Sequence, residues 1–237
     1  MALSKLNFNS LNLTPVAGKG IGFDSGADDL EASFSSGSMT FIKKLTADGS
    51  GTTLSFVHGS SDVVLDSTYK EYVFIFKDIH HSEADRNLSF NLSIDSGSNY
   101  NVAKTTTHFR TYHGEDDGGG VLEYRTGSDL AQGTGVQSIL RGIKGDNDAS
   151  GAGYMHLFNP SSTTFVKHFI AVGTYMQDNA LSETFYTAGY GNTTSAVDAI
   201  QFSVNSGNID AGTGDLNITA NATGEVTIND SGEDRVS

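Results

Sequence analysis

Five consecutive residues, Tyr72-Val73-Phe74-Ile75-Phe76, are aromatic or β-branched, with charges only at their borders, Lys70, Glu71, Lys77 and Asp78. A run this short has no helical period, and its composition favours an extended strand. In a strand, Tyr72, Phe74 and Phe76 point one way while Val73 and Ile75 point the other. Apolar side chains of both parities need cover on both faces. At a sheet edge such a strand would invite pairing with other chains, so it is expected at the centre. The stretch from Asp66 to His81 is therefore taken as the hub, with the remaining strands beside or over it.

Alternating segments fill the rest of the chain. Thr40–Thr46 and Thr52–Val57 flank Asp48-Gly49-Ser50-Gly51 and read as a hairpin. Asn87–Ile94 alternates strictly, with Leu88, Phe90, Leu92 and Ile94 on one face and Ser89, Asn91 and Ser93 on a wet one. Lys104–Tyr112 is a Thr-rich strand, and others are expected at Val121–Tyr124, Val136–Ile143, Tyr154–Phe158, Thr163–Thr174, Glu183–Tyr190 and Val197–Asn205. Asp215–Thr219 and Glu225–Asn229 read as weaker strands, and Ser128–Gln132 and Asn179–Glu183 as single helical turns. With 28 Gly against 2 Pro and no amphipathic helix, the pattern implies an all-β, antiparallel β-sandwich, jelly-roll-like or lectin-like.

Three regions follow. Residues 1–38 hold Leu3, Leu6, Phe8, Leu11 and Leu13, which read either as a frayed terminus or as a docking arm burying these side chains on another subunit. Residues 39–210 form the β-sandwich body. Residues 211–237 form a C-terminal extension that pairs with a neighbouring subunit or trails in solvent.

The net charge of −14 argues against a nucleic-acid partner, because phosphate binding needs clustered Lys and Arg. From His168 onward nine carboxylates face a single base, Arg235. Without Cys there is no disulfide or thiol chemistry. No apolar run approaches the roughly 20 residues that span a bilayer, so no membrane insertion is expected. The opening has no h-region, so no Sec-type export signal is expected.

Few motifs carry chemistry. Asp146-Asn147-Asp148-Ala149-Ser150-Gly151 matches the first half of a calcium loop, but Leu157 stands where the bidentate Glu belongs. Asp146, Asn147 and Asp148 remain candidate ligands for an irregular Ca²⁺ site, against an ordinary Asx-rich turn. Tyr112 and His113 with Glu115, Asp116 and Asp117 place acceptors beside an aromatic ring, a pattern suited to a glycan or a divalent ion, against a solvated acidic loop. The seven His form no close metal pair. No nucleophile elbow, P-loop or dinucleotide fingerprint is present and Trp is absent, so no enzyme and no cofactor is expected. Carboxylate pairs for glycoside hydrolysis are defined by the fold and stay open.

Several blocks resemble a known family: Phe56-Val57-His58-Gly59, Asp66-Ser67-Thr68-Tyr69-Lys70-Glu71-Tyr72 to Ile79-His80, and Ser98-Asn99-Tyr100-Asn101-Val102 with Thr105-Thr106-Thr107 and Tyr112-His113. Tyr124-Arg125-Thr126-Gly127 with Ala131-Gln132, His156-Leu157-Phe158-Asn159-Pro160-Ser161-Ser162-Thr163-Thr164, and Gly189-Tyr190 with Asn192-Thr193-Thr194-Ser195-Ala196-Val197-Asp198-Ala199-Ile200 continue it. Over roughly residues 40 to 210 the chain resembles virion structural proteins of marine tailed bacteriophages, including cyanophages, of a tail-fibre-like kind. The resemblance implies a virion component with a β-sandwich body, assembled as a homo-oligomer (a trimer by class) with other virion proteins as partners; the loop at His113–Gly120 makes a host-surface glycan a further candidate partner. It implies a tail-fibre or appendage subunit for host attachment; the alternatives are a capsid decoration or head-fibre protein, or a free carbohydrate-binding module. Members of that family end soon after the strand following Ser206-Gly207-Asn208, whereas this chain continues through Ile218, Val226 and Ile228.

Overall fold

The computed structural model describes residues 19–23, 30–35, 39–210 and 217–223. The expected docking residues Leu3, Leu6, Phe8, Leu11 and Leu13, and the strand expected at Glu225–Asn229, lie outside them. The chain divides into two units, Met1–Thr40 and Phe41–Ser237. Within the first, β1 (Lys19–Phe23) and β2 (Leu30–Ser35) form an antiparallel hairpin.

The other strands, in chain order, are β3 (Met39–Thr46), β4 (Thr53–Val57), β5 (Glu71–His81), β6 (Arg86–Ser93), β7 (Lys104–Gly114), β8 (Gly119–Tyr124) and β9 (Gln137–Ile143). They continue as β10 (Gly151–Phe158), β11 (Lys167–Gln177), β12 (Leu181–Gly191), β13 (Ala199–Val204), β14 (Ile209–Asp210) and β15 (Asn217–Thr223). The fold is all-β, and its named strand pairs are antiparallel. The hub is central as expected: β5 lies between β10 and β15, and its end also pairs with β14. A bulge at Lys77–Asp78, with Asp78 at φ 53°, separates these two parts of β5.

Two sets of strands follow from the pairing. One runs β3-β15-β5-β10-β11-β12-β7-β8, the other β9-β6-β13-β4, and a single pair, Gln177 with Ile143, joins them. The chain moves repeatedly from one set to the other. The hairpin expected between Thr40–Thr46 and Thr52–Val57 is therefore not formed: β4 pairs with β13. Asp48 to Gly51 instead carries the chain between sets, with Asp48 accepting from the Ser50 amide at 2.9 Å. Ser128–Gln132 contains no helical turn, and Asp178–Ala180 is the tight turn joining β11 to β12. The C-terminal extension is hydrogen-bonded through β15 to β5 of its own chain, capping an apolar strand that would otherwise be open.

Side chains from both sets meet in one core. Phe202 of β13 is the centre of a ring cluster, with centroids 5.3 Å from Phe76, 5.5 Å from Phe74, 6.4 Å from Phe56 and 6.5 Å from Phe90. The contacts are edge-on or tilted, the arrangements favoured by ring quadrupoles. Phe90 and Phe169 add another edge contact at 4.9 Å. Gly153 and Gly173 oppose each other across β10 and β11; a Cβ on Gly173 would lie 2.5 Å from the Phe185 ring, so glycine makes room for that ring.

Two expectations about burial change. Ser89, Asn91 and Ser93 of β6 are buried, not wet, because the following segments fold over them: Asn91 Nδ2 donates to Tyr100 O at 2.6 Å and Thr134 O at 3.0 Å. The hub strand, expected to be covered on both faces, is covered fully on only one. Tyr72, Phe74 and Phe76 are fully buried, and on the other face Val73 is buried whereas Ile75 is 39 % exposed. Phe202→Ala should cost about 3–5 kcal/mol, the range for removing a buried aromatic ring. Urea unfolding checks this, and a loss below 1 kcal/mol would contradict the cluster's place in the core.

Candidate interaction surface

The inner face of the larger strand set changes character from one side to the other. On β5, β10 and β11 it carries Tyr72, Phe74, Phe76, Met155, Leu157 and Phe169. On β12 and β7 it carries Glu183, Thr187, Lys104, Thr106 and His108, all buried. Each buried polar group is therefore expected to be paired. Glu183 accepts from Arg110 Nη1 at 2.5 Å and from the Tyr175 hydroxyl, and Arg110 Nε donates to Glu123 at 2.7 Å. Thr106 donates to Gln137, whose amide donates to Ser128 O at 2.8 Å. These bonds tie the segment between β8 and β9 onto the sheet.

Burial and the two carboxylates set the charges here. Burial works against the Arg110 cation, but its bonds to Glu123 and Glu183 outweigh that and raise its pKa. Burial, with the Glu183 charge, pushes the Tyr175 hydroxyl up. His108 is lowered to about 4, first by burial and then by Arg125, Arg141 and Arg110, so it is neutral at pH 7; its Nδ1 lies 2.7 Å from Thr187 Oγ1. Among the described residues no carboxylate faces Lys104. Its Nζ donates to Asn91 Oδ1 at 2.5 Å and Val102 O at 2.8 Å, and burial lowers it to about 8.

The loop singled out in the sequence is the turn of the β7–β8 hairpin. Gly114 N donates to Gly118 O at 2.7 Å, Asp116 Oδ1 accepts from Gly118 N at 2.9 Å, and Asp117 has φ 63°. The expected grouping is split. Tyr112 lies on the inner parity, its ring under the Arg110 guanidinium at 4.7 Å, while His113 lies on the outer one, 3.6 Å from Asp117. His113 and Glu115 do line a depression of about 500 Å³ with Ser150, Ala152, Thr174 and Ser182. In the Asp146–Asp148 turn, Asp146 pairs with Lys144 at 2.8 Å and its carbonyl accepts from Ala149 N. Among the described residues no three His, Cys, Asp or Glu are grouped to hold a metal ion.

The larger feature, missed in the sequence, is the outer face. Register places Ile75, Tyr154, Val172, Tyr186, Phe109 and Tyr124 opposite one another in turn across β5, β10, β11, β12, β7 and β8. Ile75, Tyr154, Tyr186, Phe109 and Tyr124 are 39–51 % exposed. The Phe109 and Tyr186 rings stack at 4.8 Å with planes 10° apart. They stack across neighbouring strands, so both stand upright on the sheet and present edges to solvent.

The next rows are Val73, His156, Ile170, Ala188 and Thr107, then Glu71, Phe158, His168, Tyr190 and Thr105. Over them lies a groove of about 540 Å³ lined by Thr105, Thr107, Phe158, His168, Ala188 and Tyr190. Glu71, the only carboxylate in these rows, is bonded to His156. The sequence signal was present: Phe169-Ile170-Ala171-Val172 and Phe185-Tyr186 are apolar at both parities, like the hub.

The buried Lys104 gives a pH test. Between about pH 8 and its unfolded value of 10.5 the folded chain has shed a proton that the unfolded chain keeps, so stability rises with pH. Relative to Lys104→Met, the wild type should gain about 2 kcal/mol between pH 7 and 10 by chemical denaturation, from about 1.4 kcal/mol per pKa unit. A flat difference would contradict the burial. Compared with protein-family models, with curated proteins and with solved structures, the chain matches none.

Proposed function

We propose that this chain is a structural subunit of a tailed-bacteriophage virion, an appendage or tail-fibre component that takes part in host-surface attachment. In this reading the two strand sets are the layers of a jelly-roll-like β-sandwich, linked by repeated crossings of the chain. The observation that carries it is the charge-poor, largely aromatic ridge across six strands of the outer face, with Phe109 and Tyr186 stacked at its centre. An exposed apolar surface of this extent marks a place where another macromolecule docks. The resemblance over residues 40 to 210 supplies the virion, and the surface supplies the reason such a subunit assembles.

A second reading, glycan binding by the free protein, draws on His113 and Glu115 beside the depression near the β7–β8 turn. The ridge itself suits it poorly, because sugar stacking uses ring faces, and the facing sides of Phe109 and Tyr186 cover each other.

Labelled antibody against this chain, imaged by electron microscopy on intact particles, tests the proposal. Label on tail appendages is the expected result. Label on the head would favour the decoration reading, and particles without label would overturn the virion assignment. On a glycan array, binding lost in His113→Ala and Glu115→Ala would favour the second reading.

A further inference from the structure

We infer that the outer face of the larger strand set docks a second copy of this chain, in a two-fold pair that seats the ridge of each copy in the groove of the other. The inference rests on the reading of the chain as a structural subunit and names the partner of that surface. Three observations select a second copy.

The first is shape. The ridge through Val172, Tyr186 and Phe109 runs parallel to the groove over Ala188 and Tyr190, two to four residues along each strand, about 7–13 Å away. A two-fold axis lying in the interface, parallel to the ridge and midway between ridge and groove, exchanges the two. Position across the strands is unchanged, so Tyr186 of one copy meets the Ala188–Tyr190 segment on the same strand of the other. Upright rings interdigitate in this way when two sheets pack face to face.

The second is charge. The chain carries a net charge of −14, so a second copy is repelled by most of its surface. The three rows from the ridge to Tyr190 hold no Lys, Arg or Asp, and Glu71 is already bonded to His156. Aromatic enrichment with charge depletion is the composition of an interface core. The third is area. Six strands by the stretch of β11 from His168 to Val172, which the axis places face to face, span about 24 by 17 Å and cover on the order of 800 Å² between two copies. That is the size of a weak, concentration-dependent pair.

Sedimentation equilibrium of the full chain tests this. As its concentration rises, the wild type should approach twice the 25.0 kDa mass of one chain. Tyr186→Glu on the ridge and Ala188→Arg in the groove should each sediment as single chains with unchanged circular dichroism, and Ser60→Glu, off the face, should stay paired. Mixing the two disrupted variants should restore the double mass, because the introduced carboxylate on one ridge meets the introduced guanidinium in the other groove.

A wild type that sediments as a single chain or a trimer would overturn the inference, as would a mixture that stays monomeric. A wild type that pairs only after residues 1–38 are removed would assign the face to that arm and overturn it too. If Tyr186→Glu or Ala188→Arg unfolds, Tyr154→Glu takes its place on the ridge, and the wild-type mass still decides. These masses are independent of the particle images: a pair without virion label leaves this inference standing and removes the virion assignment, and the reverse result does the opposite.

Discussion

The structure depends on a mismatch between what its strands expose and what its own strand sets cover. Strands β5, β10, β11, β12 and β7 carry apolar residues at both parities, because a period of two sends neighbouring side chains to opposite faces. The smaller strand set covers one of those faces. There Phe202 brings the rings of Phe56, Phe74, Phe76 and Phe90 together, and the core is closed by rings meeting edge to face. On the other face, Ile75, Tyr154, Tyr186, Phe109 and Tyr124 remain open to solvent. The sheet is thus apolar on both sides, with a core on one side and solvent on the other.

The polar cluster under β12 and β7 has a structural part in this. Where the phenylalanine core ends, Glu183, Arg110 and Tyr175, with Thr106 and Gln137, replace apolar packing by bonds that leave few choices of position. They fix the segment between β8 and β9 against the inner face and hold β7 and β8 level with their neighbours. On the opposite face of the same two strands, which pair along their full length, Phe109 stacks on Tyr186. Lys104, held by Asn91 and Val102 with no carboxylate opposite among the described residues, marks the same region as one built for geometry at some cost in stability.

Much of the strand content was legible in the sequence, and the pairing less so. The hub position of Tyr72–Phe76 followed from composition, since an unbroken apolar run has no safe place at an edge. The pairing of β4 with β13, some 140 residues away, did not, because a Gly-rich turn such as Asp48–Gly51 looks the same whether it closes a hairpin or crosses between strand sets. The dry face of Ser89, Asn91 and Ser93 was hidden for a related reason: alternation reports which side is apolar, and covering loops are not periodic. The acidic turn attracted attention through its residue types, yet strand parity sends Tyr112 and His113 to opposite faces. The ridge was readable as apolar residues at both parities, but only the register showed that they line up across six strands.

The most direct measurement of whether the open face is covered in solution is hydroxyl-radical footprinting at increasing protein concentration. Tyr154 and Tyr186, at 43 % and 41 % exposure, serve as reporters, and Ile94, also 43 % exposed but just after β6, as the reference. The account predicts that labelling of the two tyrosines falls several-fold relative to Ile94 as concentration rises. Constant labelling of all three across the whole range would contradict it.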